Sequence, residues 1–261
     1  MNGHSLKRSD QMALEPGHNF LARLGKTKLR PGGIEATNWL IDQAHIKADT
    51  KVLEVACNMG TTMMSVAQHY GCHVIGIDQS PAAIAKAQKN IAKNHLADQL
   101  EVFQGNAMKL PFEDESFDVV INEAMLTMLS ERAKHKAIAE YYRVLKHGGV
   151  LLTHDVCLMK GDSPELIRAL GEAIHVHAQP LTSENWQREF SDAGFSVEQN
   201  YGAMTLMNPA GMIHDEGFFR AVKIVFNGLK PRNRQQFFKM FRFFKGHRDQ
   251  LGYIANFSRK P

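Results

Sequence analysis

Residues 52–60 read Val52-Leu53-Glu54-Val55-Ala56-Cys57-Asn58-Met59-Gly60, and residues 74–78 read Val74-Ile75-Gly76-Ile77-Asp78. The first run is a short apolar strand that breaks into a tight turn ahead of a helical pattern. The second is an apolar strand closed by an acid. This arrangement suits a nucleoside, because the turn brings backbone close to the ligand and the carboxylate accepts from both ribose hydroxyls.

Outward from this pair, short apolar runs alternate with helical patterns from about residue 34 to 200, the mark of a mostly parallel sheet flanked by helices. A helix is expected over 34–44, a strand over 51–55, a helix over 61–69 and a strand over 73–77. Ser80-Pro81 opens the next helix, since serine accepts from unpaired backbone N–H groups and proline fits the first helical position. Strands follow over 100–103 and 118–122. A helix with Ile138, Tyr141, Tyr142 and Leu145 on one face is expected to close at Gly148-Gly149. Strand five is expected over 150–154, a helix over 181–193, strand six over 195–199 and strand seven over 253–257. Residues 201–250 are too many for a hairpin loop, and two helices, 212–229 and 234–250, are expected to fill them.

Motif by motif, the chain resembles the class I S-adenosylmethionine-dependent methyltransferases of the small-molecule branch. Residues 52–60 resemble that family's first motif, a hydrophobic pair and an acid before a Gly-x-Gly-x-Gly turn. Ala56 and Asn58 stand where the family usually has glycine, and Gly60 is kept. Asparagine is well suited to positive φ, whereas Ala56 adds a methyl group where backbone and ligand come close. Gly105-Asn106-Ala107-Met108-Lys109-Leu110-Pro111-Phe112 is similar to the family's Gly-Asp-Ala-x-x-Leu-Pro-Phe segment. Residues 117–121, 143–149 and 181–195 and the closing Arg259-Lys260-Pro261 also match, over residues 34–200 and the final strand.

The resemblance implies an α/β fold: a Rossmann-like, seven-stranded, mostly parallel sheet with helices on both faces and a helical insertion between strands six and seven. It implies S-adenosylmethionine as cofactor and S-adenosylhomocysteine as product. The expected divisions are an N-terminal lid (1–33), a cofactor-binding core (34–200), a helical cap (201–250) and the final strand (251–261). The expected cofactor-binding residues are Glu54, Ala56, Cys57, Asn58, Gly60, Asp78, Gln79, Asn106, Ala107 and Asn122. Asp78 would take the ribose, the Asn106 side-chain oxygen would accept from the adenine amino group, and Glu54 would lie near the methionine amine. Arg30 is a candidate for the methionine carboxylate. Cys57 reads as a small buried residue rather than a nucleophile.

Methyl transfer from a sulfonium is an in-line displacement, so positioning can supply most of the acceleration. Ligands of such a sheet bind beyond the carboxyl ends of its strands, where Asn122-Glu123 and His154-Asp155 lie and which the insertion should roof. His154, with its ordinary pKa close to neutrality, is the candidate base, and Glu123 the candidate for orienting the acceptor. A hydrogen-bonded structural histidine is an equally good reading of His154.

The 261 residues suffice for one large domain with a cap. The first ten residues are polar and basic, with no apolar stretch after them, so no signal peptide is expected; no run is apolar enough to span a bilayer. Cys57, Cys72 and Cys157 form no CxxC pair and fit reduced thiols in a cytoplasm. Net charge is +4, with much of the excess between Lys223 and Arg248. Phe237, Phe238, Phe241 and Phe244 there read as an amphipathic helix packed on the domain, with contact between 234–248 and a membrane surface the lesser alternative. Met204, Met207 and Met212 suit either an adaptable pocket or plain core packing.

A nicotinamide-dependent oxidoreductase is disfavoured, because residues 56–61 hold a single glycine and no G-x-G-x-x-G. A non-catalytic binder of the same sulfur nucleosides is the alternative from another class. A lipid or macromolecular acceptor remains open, but the Asn/Asp-Pro-Pro-Tyr motif of nucleic-acid amino-methylating enzymes is absent. The expected partner is therefore a small-molecule methyl acceptor, with no nucleic acid and no metal. Acceptor identity and oligomeric state do not follow from the sequence.

Overall fold

A computed structural model describes residues 15–261. The basic N-terminal stretch and the first fourteen residues of the expected lid lie outside the described residues.

The chain folds as α1 (Gly17–Leu24), α2 (Gly33–Gln43), β1 (Lys51–Val55), α3 (Thr61–Tyr70), β2 (His73–Asp78), α4 (Pro81–Lys93), β3 (Leu100–Gln104) and β4 (Phe117–Glu123). After a 3-10 turn (Leu126–Met128) come α5 (Glu131–Val144), β5 (Leu145–Leu158), α6 (Pro164–Ile174), β6 (Leu181–Thr182) and α7 (Ser183–Asp192). The remainder is β7 (Ser196–Ala203), α8 (Pro209–Glu216), α9 (Phe218–Leu229), α10 (Arg234–Gly246) and β8 (Leu251–Arg259).

The sheet runs β3-β2-β1-β4-β5-β8-β7, with the two-residue β6 beside the end of β5. All pairings are parallel except those of β8, which runs antiparallel to both β5 and β7. Both faces are covered, so neighbouring residues of one strand enter opposite cores. Val52, Val119, Leu152 and Ala255 pack towards α2, α3 and α4. Leu53, Val120, Leu151 and Ile254 pack towards α5 and α7, whose Tyr141, Trp186 and Phe190 are fully buried. Ser80 caps α4 by accepting from Ala83 N–H, and Pro81 opens it, as the sequence analysis expects.

Three local expectations are corrected. The α5 helix stops at Val144, and Gly148-Gly149 lie inside β5, where the pairing with β4 shifts from Phe117–Leu145 to Val119–Val150. The two glycines therefore serve a strand irregularity, because a Cβ on Gly149 would come within 2.8 Å of a carbonyl oxygen. Strand five runs on to Leu158, which places His154 and Asp155 within it. The insertion holds three helices rather than two, since Gly217 parts α8 from α9 with φ 77° and ψ 156°, a conformation open essentially to glycine alone.

The α9 and α10 helices pack on α1. Ile224, Phe237 and Met240 join Phe20, Leu21 and Leu24 in one apolar cluster, with Met207 and Met212 among its buried members. Polar contacts tie the same parts together. Glu216 accepts from Thr27 N–H at 2.7 Å, Lys28 N–H at 2.8 Å and the Thr27 hydroxyl at 2.8 Å. Thr205 N–H donates to the Pro31 carbonyl at 2.8 Å, and Ile34 N–H donates to Asp215 at 2.9 Å.

Candidate active site

β1 ends at Val55, and the next five residues make a turn in which Ala56, Asn58 and Gly60 take φ of 60°, 48° and 77°. Left-handed backbone costs a residue with a Cβ about 1–2 kcal/mol, so Ala56 holds real strain, while Asn58 tolerates its place more easily. The turn is held from outside: Cys57 N–H donates to the Ile77 carbonyl at 3.0 Å, and Asn58 N–H donates to the Asp78 carboxylate at 3.0 Å. The other Asp78 oxygen accepts from Ser80 N–H at 2.8 Å, so two fixed donors aim the carboxylate at the end of β2.

This turn floors a cavity of about 400 Å³ beyond the carboxyl ends of β1, β2 and β4. Glu54, Ala56, Cys57, Asn58, Asp78, Gln79, Asn106, Ala107, Glu123 and Arg30 all line it, so the fold gathers most of the expected cofactor-binding residues. Gly60 stands behind the wall as the cap of α3. Asn122 does not line the cavity; its amide donates to the Val55 carbonyl at 2.9 Å and holds β4 to the end of β1. The Asn106 oxygen differs from expectation, since it already accepts from Met108 N–H at 2.9 Å and from the Gln79 amide at 3.2 Å.

Glu54 is buried and accepts from Met63 N–H at 2.8 Å. Burial, and next the charge of Glu123, push its carboxyl up to about 8. Burial likewise pushes the Cys57 thiol well above its ordinary range, which fits a packing residue and not a thiolate.

Glu123 faces His154 in the β4–β5 register. It pairs with the Arg30 guanidinium and with the Thr37 hydroxyl, and the Thr62 hydroxyl donates to it at 2.8 Å. Burial acts to raise this carboxyl, but Arg30 and the hydrogen bond from His154 overcome it and hold it well below the usual carboxylate range. His154 is fully buried. Its Nε2 accepts from Gly32 N–H at 2.8 Å, leaving Nδ1 to face Glu123 at 3.3 Å. His154 is not among the residues that line this cavity. Arg30 Nε is buried without a partner among the described residues, which leaves a donor for an anionic group.

A second, smaller cavity of about 80 Å³ adjoins the first and shares His18, Leu29, Ala124 and Met128 with it. Its wall is chiefly apolar, with Leu21 from α1, Leu170 from α6, Leu206 and Met204 from the insertion, and Met240 and Phe244 from α10. Asp155 also lines it, accepting from Thr127 N–H at 3.1 Å and Val156 N–H at 3.0 Å. Burial raises the Asp155 carboxyl above its ordinary value.

His18 was missed in the sequence because it belongs to a stretch notable only for its basic residues. Burial lowers its pKa against the opposing charges of Asp78 and Glu15, so the ring is biased towards its neutral form. The signal that finds it is its position in the wall of both cavities.

Residues 52–149 match a family described as "Methyltransferase domain". An uncharacterized protein of Haemophilus influenzae is 54% identical over 247 residues, 94% of this chain and 98% of the relative. The chain carries a methyltransferase domain on the fold of the class I S-adenosylmethionine-dependent methyltransferases. A demethylmenaquinone methyltransferase of Lactiplantibacillus plantarum is 29% identical over 180 residues, covering 67% of this methyltransferase and 73% of that one. The solved structure of a geranyl diphosphate methyltransferase in complex with S-adenosylmethionine shares the fold, with a TM-score of 0.67, 14% identity and coverage of 87% and 85%. The enzyme's methyl donor is S-adenosylmethionine.

Proposed function

We propose that this methyltransferase methylates a small, largely apolar acceptor held in the cavity behind Met128 and His18. The observation that carries the reading is the apolar wall joined directly to the cofactor cavity through His18, Leu29, Ala124 and Met128. The names of relatives that act on demethylmenaquinone and geranyl diphosphate agree with such an acceptor.

The residues of the larger cavity fit the cofactor. Asp78 keeps lone pairs for the ribose hydroxyls beyond its two backbone partners, and Gln79 and Ala107 flank the place of the base. Arg30 Nε is offered to the methionine carboxylate, and Glu54 to the methionine amine. Bound there, S-adenosylmethionine supplies an electrophilic methyl group on a sulfonium. The protein's own work is then alignment and proton handling. Glu123, His154, Thr37 and Thr62 form a buried network that orients Arg30, a positioning role that replaces the expectation of His154 as base. His18 is the base wherever the acceptor carries a proton that must leave. Residues 15–33 and 201–250 act as lid and cap over the acceptor.

The experiment supplies methyl-tritiated S-adenosylmethionine with either a cellular lipid extract or an aqueous metabolite extract. Label should enter an organic-soluble product, and His18→Gln should slow this about 100-fold while leaving calorimetric affinity for the cofactor within a few fold. Label confined to aqueous or protein-bound products would overturn the apolar acceptor. Unchanged turnover in His18→Gln would remove His18 from the mechanism.

A further inference from the structure

We infer that the outer face of α9 docks on an anionic lipid surface. The inner face of this helix is used, since Ala221 and Ile224 pack against α1. The outer face carries Phe218, Phe219, Val222, Phe226 and Leu229, exposed to 60%, 88%, 52%, 66% and 49%. Their spacing places all five along one side of the helix. Scattered exposed apolar residues are ordinary, but a contiguous stripe of this size marks an interaction site.

The charge around the stripe selects the occupant. From Gly217 to Arg248 the chain has nine lysines and arginines and no aspartate or glutamate. Arg220, Lys223, Lys230, Arg232 and Arg234 are exposed along or just beyond α9, and the Lys230 ammonium lies 5.4 Å over the Phe226 ring. Glu216 lies 3.8 Å from Arg220, but its side chain is buried and accepts from Thr27 and Lys28 N–H. Large apolar side chains among cations, with acids excluded, suit the headgroup boundary of an anionic bilayer. A second copy of the chain fits poorly, because a two-fold contact would set these cations against themselves. A nucleic acid would meet the cations but make no use of Val222 and Leu229.

The location suits the inference. The α9 helix packs on α1, and α1 supplies Gly17, His18 and Leu21 to the wall of the apolar cavity. Docking would therefore bring the cover of that cavity to the bilayer boundary. This surface is distinct from α10, where Phe237, Phe241 and Phe244 are turned into the cluster with α1.

The test is co-sedimentation of the full chain with vesicles of phosphatidylcholine alone and with added phosphatidylglycerol, at low and high salt. Binding is expected to the anionic vesicles only and to weaken with salt, with each surface cation contributing roughly fivefold to partitioning. The double variant Phe219→Ser/Phe226→Ser should lower partitioning at least tenfold, and Lys223→Glu/Lys230→Glu should do the same, with thermal melts of both matching the parent. Failure of the parent chain to sediment with anionic vesicles would overturn the inference. So would equal binding by the folded variants, and so would a dimer or a nucleic-acid complex that the same substitutions abolish in place of vesicle binding.

Discussion

At the scale of single residues, the chemistry rests on two buried carboxylates with opposite fates. Glu123 is ionised against Arg30, whereas burial holds the proton on Glu54 up to about pH 8. A free glutamate in the unfolded chain titrates near 4.3. Between that value and about 8 the folded protein keeps a proton that the unfolded chain has lost, so Glu54 makes stability fall as pH rises through this window. An amine placed beside Glu54 favours its ionised form, so cofactor binding below pH 8 must expel that proton. Affinity for S-adenosylmethionine should therefore climb from pH 6 to 8 and level off above. Calorimetry at pH 7 in buffers of different ionisation enthalpy should report close to one proton released; release of none would dissociate Glu54 from the cofactor amine. Glu54, Asp78 and Asn106 were legible as pocket residues because Glu54 and Asp78 lie at the carboxyl ends of β1 and β2, and Asn106 in the turn just after β3. His18 and Asp155 were not legible as a pair, because strands and helices distant in sequence bring them to one cavity.

Among the elements, those with strong local signals came out as the sequence implies. Ser80-Pro81 capped α4, and the strands β1 to β4 fell within a residue or two of expectation. Ser163-Pro164 carries the same signal, and its serine accepts from Leu166 N–H to cap α6, a helix not among those expected. The break between α8 and α9 was hidden for a different reason. Residues 212–229 keep one helical periodicity, and a lone glycine within it is weak punctuation. Gly217 in fact holds φ 77° and ψ 156°, and nothing lies within 4 Å of a Cβ built there. Gly217→Ala should thus meet no clash and cost only its backbone conformation, about 1–3 kcal/mol. Urea denaturation can measure this; a neutral substitution would mean that α8 and α9 can join into one helix at no cost.

Across the whole molecule, residues 15–33 are fastened to the insertion through Thr27 and Lys28, and to the sheet through Arg30 and Gly32. Lys26 and Glu216 are central to this, both buried, with Lys26 Nζ 3.8 Å from Glu216 and 3.7 Å from Asp215. Glu216→Gln would leave two buried cations, Lys26 and the half-buried Lys28, short of one negative charge. A loss of about 3 kcal/mol is expected, together with faster release of S-adenosylmethionine in stopped-flow displacement. Unchanged release with the stability loss would show that lid and cap do not open as one. The sequence pointed to an insertion at this edge of the sheet through its length alone. Its fastening was illegible, because the contacts of Glu216 with Thr27 and Lys28 span nearly 190 residues.

The place of β8 carries a consequence for how the chain is made. The strand lies between β5 and β7, yet it leaves the ribosome after every other strand and after the whole insertion. Until residues 251–259 are made, β5 and β7 lack the strand that lies between them, and β5 is the longest strand of the sheet at 14 residues. An unpaired strand edge is a template for pairing with other chains. The nascent protein is therefore exposed to aggregation in the interval between the synthesis of β7 and that of β8, and slowing the ribosome over the codons of the insertion should increase its dependence on chaperones.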